Sequence, residues 1–214
     1  MSALSDLAHC TVADTTCDET MAGLAKRLLD SAPPTFALAG VSMGGYLAQE
    51  VLRQAPHRVI RLALIDTNAH ADGEEQKAVR RDMINMAESG RFDAVMPRMT
   101  PRLLPKNRLS DVHLIDTMNA MADRIGPKAF VRQQKAIMGR VDGRSDLEKI
   151  TCPTLVMCGA DDALTPPAIH QDMADRLPNA RLVILEDCGH LSPLERPRAV
   201  SAVMQYWLQE QISK

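Results

Sequence analysis

Apolar positions along the 214-residue chain change period in a repeating order. Residues 35 to 55, TFALAGVSMGGYLAQEVLRQA, open with an apolar run too brief for a helix and bounded by Gly40. Apolar residues then recur at 47, 48, 51, 52 and 55, a spacing that lines one face of a helix. The pattern predicts a strand, a sharp turn and a helix. Val59 to Ile65 reads as a second buried strand, Thr154 to Cys158, set off by Pro153 and Gly159, as a third, and Leu182 to Leu185 as a fourth. Amphipathic helices lie between them. In the last of these, Pro197 suits a first helical turn, and Val200, Val203, Met204, Trp207 and Leu208 repeat at helical spacing. Such alternation argues for a parallel α/β sheet. At the front, Thr16 and Glu19 fit a capping box for a helix carrying Met21, Leu24, Leu28 and Leu29. His9 to Ala13 is a weaker strand candidate.

Residues 70 to 149 break this rhythm: Leu114, Met118, Met121 and Ile125 keep helical spacing, and no strand pattern is present. The segment therefore predicts an inserted helical cap, leaving 1–69 and 150–214 as the α/β core. It holds 15 basic and 12 acidic residues and seven of the thirteen methionines: Met83, Met86, Met96, Met99, Met118, Met121 and Met138. Methionine fills irregular apolar space, which suits ordinary helix packing or a lid over an acyl pocket. Pro97, Pro101 and Pro105 predict short turns over 97–105 in place of one helix. Arg98, Arg102, Lys106 and Arg108 form either a solvated basic face or an attraction for a carboxylate-bearing substrate.

Composition narrows the class. With 25 basic against 27 acidic side chains and 45% apolar residues, the chain fits one globular domain and not a polyanion binder or a disordered segment. No apolar run approaches the roughly 18 residues that span a bilayer, and the first nine residues lack a signal-peptide pattern. A cytoplasmic protein is expected, with neither nucleic acid nor membrane as partner. Five cysteines, an odd set without a C-x-x-C pair, suggest neither a disulfide framework nor a zinc site and read as small buried hydrophobes.

The candidate chemistry begins at Gly40-Val41-Ser42-Met43-Gly44, a G-x-S-x-G motif placed where a strand ends and a helix begins. A serine on so tight a turn is exposed at the sheet's carboxyl edge, and both glycines are expected where backbones pass too closely for a side chain. The next N–H, that of Met43, can stabilise an oxyanion. A serine hydroxyl needs a base oriented by a carboxylate. Of six histidines, His190 lies in a loop, CGHLSP, between the final strand and the final helix, where a parallel sheet keeps its functional groups. His57, His70, His113 and His170 sit in surface-like contexts and read as solvated. Asp161 and Asp162 follow the third strand and Asp66 the second; spacing alone does not choose among them.

These segments together resemble the α/β-hydrolase superfamily, in particular its capped esterases, lactonases and carbon–carbon bond hydrolases. GVSMGG resembles the family's elbow, GADDALTP (159 to 166) its acid loop and GHLSPLERP (189 to 197) its histidine loop. The resemblance implies Asp162 as the acid, and acyl transfer in which Ser42 attacks a carbonyl of a small ester or lactone, His190 moves the proton and Asp162 orients the imidazole. It implies no metal and no organic cofactor. Halide-assisted perhydrolysis would use the same triad, and a degenerate hydrolase fold that binds a ligand or partner without turnover is the competing class. Family members usually carry further strands upstream, with a His-Gly or Pro-Gly loop that gives a second oxyanion donor; here His9 to Ala13 aligns with their fourth strand. The expectation is an N-terminally truncated hydrolase fold, slow for want of that donor, in which the strand Phe36 to Val41 lacks a neighbour. Either His9 to Ala13 closes against that strand or a second copy covers it in a homodimer.

Overall fold

The computed structural model describes residues 2–209. In chain order the elements are α1 (Met21–Ser31), β1 (Phe36–Val41), α2 (Met43–Gln54), β2 (Val59–Ile65), α3 (Glu74–Glu88), α4 (Val95–Leu103), α5 (Val112–Met138), α6 (Arg144–Leu147), β3 (Thr154–Gly159), α7 (Pro167–Arg176), β4 (Ala180–Leu185), α8 (Ser192–Glu195) and α9 (Pro197–Gln209). The four strands make one parallel sheet in the order β1-β2-β3-β4. This agrees with the arrangement that the resemblance implies: a parallel sheet flanked by helices, with a helical stretch between β2 and β3.

Alternation along β2 explains the layers. Leu62 and Leu64 face α1, α2 and α7 through Leu24, Leu47, Val51 and Met173, whereas Ala63 and Ile65 face α9 through Val200, Met204 and Trp207. A strand buried on both faces must be apolar throughout, as VIRLALI nearly is. Its one cation, Arg61, sends its guanidinium to the Trp207 carbonyl at 3.0 Å. Each fully buried leucine contributes about 1.5–3 kcal/mol. The register sets Val41 beside Ile65, Ile65 beside Met157 and Gly159 beside Leu185. All four strands therefore end at one edge, and Ser42, Asp66, Asp162 and His190 each follow one of them.

Residues 70–149 hold helices and their connecting turns, with no strand among them, and their methionines divide. Met83 and Met86 pack with Val95 and Met99, and Met138 packs near Ile84 and Val131, all within the insertion. Only Met96 and Met118 join a cluster that reaches the histidine loop, through Leu191 and Leu194. Met121 is exposed. The turns expected over 97–105 are instead the helix α4, with Pro101 inside it. Pro97 falls in the first turn, where its missing N–H costs nothing; Pro101 removes one bond, and the helix closes with Leu104 N–H on the Thr100 carbonyl at 3.0 Å. Within α5 the helix breaks at Gly126 (φ 72°, ψ 165°) before Pro127, because proline forbids helical geometry to its predecessor and glycine accepts the alternative.

The front of the chain departs from expectation twice. The cap of α1 is Thr20, whose hydroxyl accepts the Gly23 N–H at 3.0 Å, and not Thr16. Residues 15 to 19 are held non-helical by α5: Arg132 donates to the Thr16 carbonyl, Gln133 to Thr15, and Lys135 pairs with Glu19. His9 to Ala13 is not a strand. Its flanks are anchored on different layers, Ala3 to Gln205 of α9 and Thr15 to α5, and it makes no strand pairing with β1. That strand is an edge of the sheet among the described residues, with Ala37 and Ala39 exposed. The cysteines also divide: Cys158 and Cys188 are buried, Cys10 and Cys152 partly so, and Cys17 is exposed, since it lies in the irregular segment before α1. Among the described residues no helix is long and apolar enough to cross a membrane.

Candidate active site

Ser42 sits between β1 and α2 with φ 50° and ψ −113°, a conformation that L-residues rarely adopt. Backbone bonds hold it there: its N–H donates to the Ile65 carbonyl at 2.9 Å, and its carbonyl accepts from Gly45 N–H at 2.9 Å and from the Thr67 hydroxyl at 2.8 Å. The surrounding glycines are not equivalent. A Cβ on Gly40 would stand 2.1 Å from the Gly44 carbonyl oxygen, and one on Gly45 2.4 Å from the Thr67 hydroxyl, while a Cβ on Gly44 would meet nothing within 4 Å. The close approach expected at Gly44 thus falls one residue later, where α2 crosses the end of β2. Met43 opens α2, so its N–H belongs to the first turn, which has no intrahelical acceptors.

The structure brings Ser42, His190 and Asp162 into one hydrogen-bonded chain. Ser42 Oγ lies 2.9 Å from His190 Nε2, and His190 Nδ1 lies 2.8 Å from Asp162 Oδ2. Asp162 is also bonded by Leu164 and Thr165 N–H to Oδ1, each at 2.8 Å, and by the Thr165 hydroxyl to Oδ2 at 2.7 Å. Burial works against its charge, but the His190 bond and charge and the Thr165 donors hold its pKa below the usual carboxylate value. An ionised Asp162 only accepts, so the neutral imidazole carries its proton on Nδ1 and Nε2 is free to accept from the serine hydroxyl. Asp161 is exposed, with its N–H on the Cys188 carbonyl, and lies outside this chain. Burial pushes the thiols of Cys158 and Cys188 up to about 12, so neither supplies a thiolate nucleophile near Ser42.

Four consecutive N–H groups fix the histidine loop. Gly189 and Leu191 donate to Glu195 Oε2 and Oε1 at 2.9 and 3.1 Å, His190 donates to the Leu103 carbonyl at 3.0 Å, and Ser192 donates to Asp66 Oδ2 at 3.0 Å. The segment between β2 and β3 therefore bonds directly to the His190 backbone, through the end of α4. Of the basic cluster beyond it, Arg98 pairs with Asp82, and Arg108 lies 3.6 Å from Asp111 and 4.0 Å from Glu195.

His170, expected to be solvated, is fully buried. Its Nε2 accepts the Thr67 N–H at 3.0 Å and its Nδ1 faces the Pro166 carbonyl at 3.4 Å, which ties the loop after β2 to the loop after the acid. Burial is the main reason its pKa falls below the ordinary histidine value. His57 and His113 are exposed and His70 half-buried.

Residues 3–203 match the model of the alpha/beta hydrolase family. The chain belongs to that family. A relative named "Putative non-heme bromoperoxidase BpoC", from Mycobacterium tuberculosis, is 31% identical, covering 82% of this hydrolase and 68% of the relative. A pimeloyl-[acyl-carrier protein] methyl ester esterase from Aromatoleum aromaticum is 29% identical over 87% of this chain and 79% of its own. Among solved structures, a thermophilic esterase from Thermogutta terrifontis superposes with a TM-score of 0.83 at 30% identity, covering 89% of this hydrolase and 72% of that chain. As a family member the protein is a hydrolase, in the company of esterase-like and peroxidase-like relatives.

Proposed function

We propose that this hydrolase cleaves small carboxylic esters or lactones through an acyl-enzyme on Ser42. The observation that carries this reading is the Ser42–His190–Asp162 chain, with spacings of 2.9 and 2.8 Å at a strand-to-helix turn. In this scheme His190 Nε2 takes the serine proton as Oγ attacks the carbonyl carbon, and the imidazolium is stabilised by Asp162. Met43 N–H, at the positive end of α2, donates to the oxyanion. The proton then passes to the leaving alkoxide, and water, activated by the same imidazole, releases the carboxylic acid. Apolar residues beside the base, Leu191, Leu194, Leu104 and Met118, suit an acyl chain. Similarity to BpoC supports a second use of the same groups, perhydrolysis, with hydrogen peroxide replacing water in attack on the acyl-enzyme.

The test is a panel of p-nitrophenyl esters and lactones of graded chain length, with a fluorophosphonate probe for the nucleophile. Turnover and labelling should both vanish in Ser42→Ala and weaken strongly in His190→Ala, where losing such a group costs ~10⁴ to 10⁶ in turnover. Labelling at another serine, or full activity in Ser42→Ala, would refute the assignment.

A further inference from the structure

Asp66 is the one residue of the four strand-end groups that the scheme above leaves unused. It is wholly buried and adopts φ 48° at the end of β2, a conformation aspartate and asparagine tolerate better than most. One oxygen, Oδ2, accepts from both the N–H and the hydroxyl of Ser192, at 3.0 and 2.7 Å; the other, Oδ1, is buried with no hydrogen-bond partner among the described residues. Holding Ser192 requires an acceptor, not a charge, and a carboxylate with an unpaired buried oxygen is costly for packing alone. Ser192 stands two residues from His190, so the bond ties the base's loop to the sheet.

The charged and titratable groups facing Asp66 come from five directions. His190 lies on the histidine loop, Asp162 on the acid loop, Cys158 on β3 and Cys188 on the chain leaving β4, while His170 of α7 holds the neighbouring Thr67 N–H. Both thiols stay protonated, Asp162 stays ionised, and burial keeps His170 neutral.

Resting on the proposed function, we propose that Asp66 is a positioning residue for the base: through its two bonds to Ser192 it anchors the histidine loop to the end of β2 and so keeps His190 within reach of Ser42.

The experiment measures the rate of fluorophosphonate labelling of Ser42, at a temperature where every variant remains folded, in the wild type, in Asp66→Ala, which loses both bonds to Ser192, and in Asp66→Asn, whose amide oxygen can accept them. Asp66→Ala should label ~10-fold or more slowly, and Asp66→Asn should recover most of the rate. Labelling of Asp66→Ala at the wild-type rate would overturn the proposal, as would an Asp66→Asn no faster than Asp66→Ala. Ser192→Ala, which keeps the carboxylate and loses one bond to it, should label several-fold more slowly; labelling at the wild-type rate would count against the anchor. A wild type that never labels would refute the acyl-enzyme, whereas amide hydrogen exchange of residues 189–192, faster in Asp66→Ala than in the wild type, reads the anchor independently of it.

Discussion

Replacing Gly159 by alanine should part the acid from the base without touching either. Gly159 ends β3, three residues before Asp162, and a Cβ there would stand 2.1 Å from the Cys188 carbonyl oxygen and 2.3 Å from that of Gly189. Ordinary contact begins near 3.4 Å. Both obstacles are backbone, so no side chain can swing aside; the segment entering the histidine loop must retreat by ~1 Å, enough to stretch the 2.8 Å bond between Asp162 and His190 past hydrogen-bond range. A misplacement of that size costs ~10²-fold in rate, and overpacking of this kind costs about 1–3 kcal/mol of stability. The assay is kcat/KM on a p-nitrophenyl ester, with thermal melting beside it. Gly44→Ala is the control for folding, since its Cβ meets nothing within 4 Å. A Gly159→Ala enzyme with wild-type kcat/KM and melting temperature would refute the reasoning.

Asp162→Asn should lower kcat by ~10⁴-fold while Asp161→Asn stays near wild type, because only Asp162 reaches the imidazole; steady-state kinetics of the pair checks this. Glu195→Ala strands the buried N–H of Gly189 and the half-buried N–H of Leu191 and should cost about 1–3 kcal/mol for the first, read by urea unfolding. Because burial depresses the pKa of His170, the unfolded chain takes the proton first: its contribution is whole above about 6.5 and is lost as pH falls below that value. His170→Gln should therefore melt at a temperature less dependent on pH between about 5 and 6.5, and an unchanged profile would contradict the burial. Asp66 works with the opposite sign. Its raised pKa favours the fold at low pH, an advantage lost as pH climbs from its ordinary value through about 7, so Asp66→Asn should flatten the decline in melting temperature between about 4 and 7.

The strands and the elbow were legible because their signals are local. A run such as LALI closed by a strand end, or a glycine two residues before a serine, carries its structural reason within a few positions. The rest depends on partners far away in sequence. Nothing near His170 announces that its ring is buried against Thr67, 103 positions earlier, and nothing near Asp66 announces Ser192, 126 positions later. Thr16 has a sound capping pattern, yet contacts from α5 over 116 positions outweigh it. The prolines of α4 misled for a different reason: position within a helix, not number, decides what a proline costs. The sequence SPLERP held one recoverable sign, Glu195, whose spacing from the histidine puts a carboxylate one short helix away from the loop it clamps.

The sheet follows the order of the chain, but its crossovers are very unequal. Residues 42–58 join β1 to β2, and 66–153 join β2 to β3. Closing the longer loop costs about 1.5 kcal/mol more in chain entropy than closing the shorter, and the insertion recovers that difference only once its own helices have packed. Assembly thus has a natural sequence: β1, α2 and β2 can collapse as a local unit with the serine already on its turn, whereas His190 arrives only with β4, after the long crossover has shut. A chain emerging from synthesis amino end first displays Ser42 early and gains His190 late. In the proposed mechanism the serine is therefore an ordinary alcohol until the fourth strand docks, and an immature or clipped molecule ending before that strand is chemically silent.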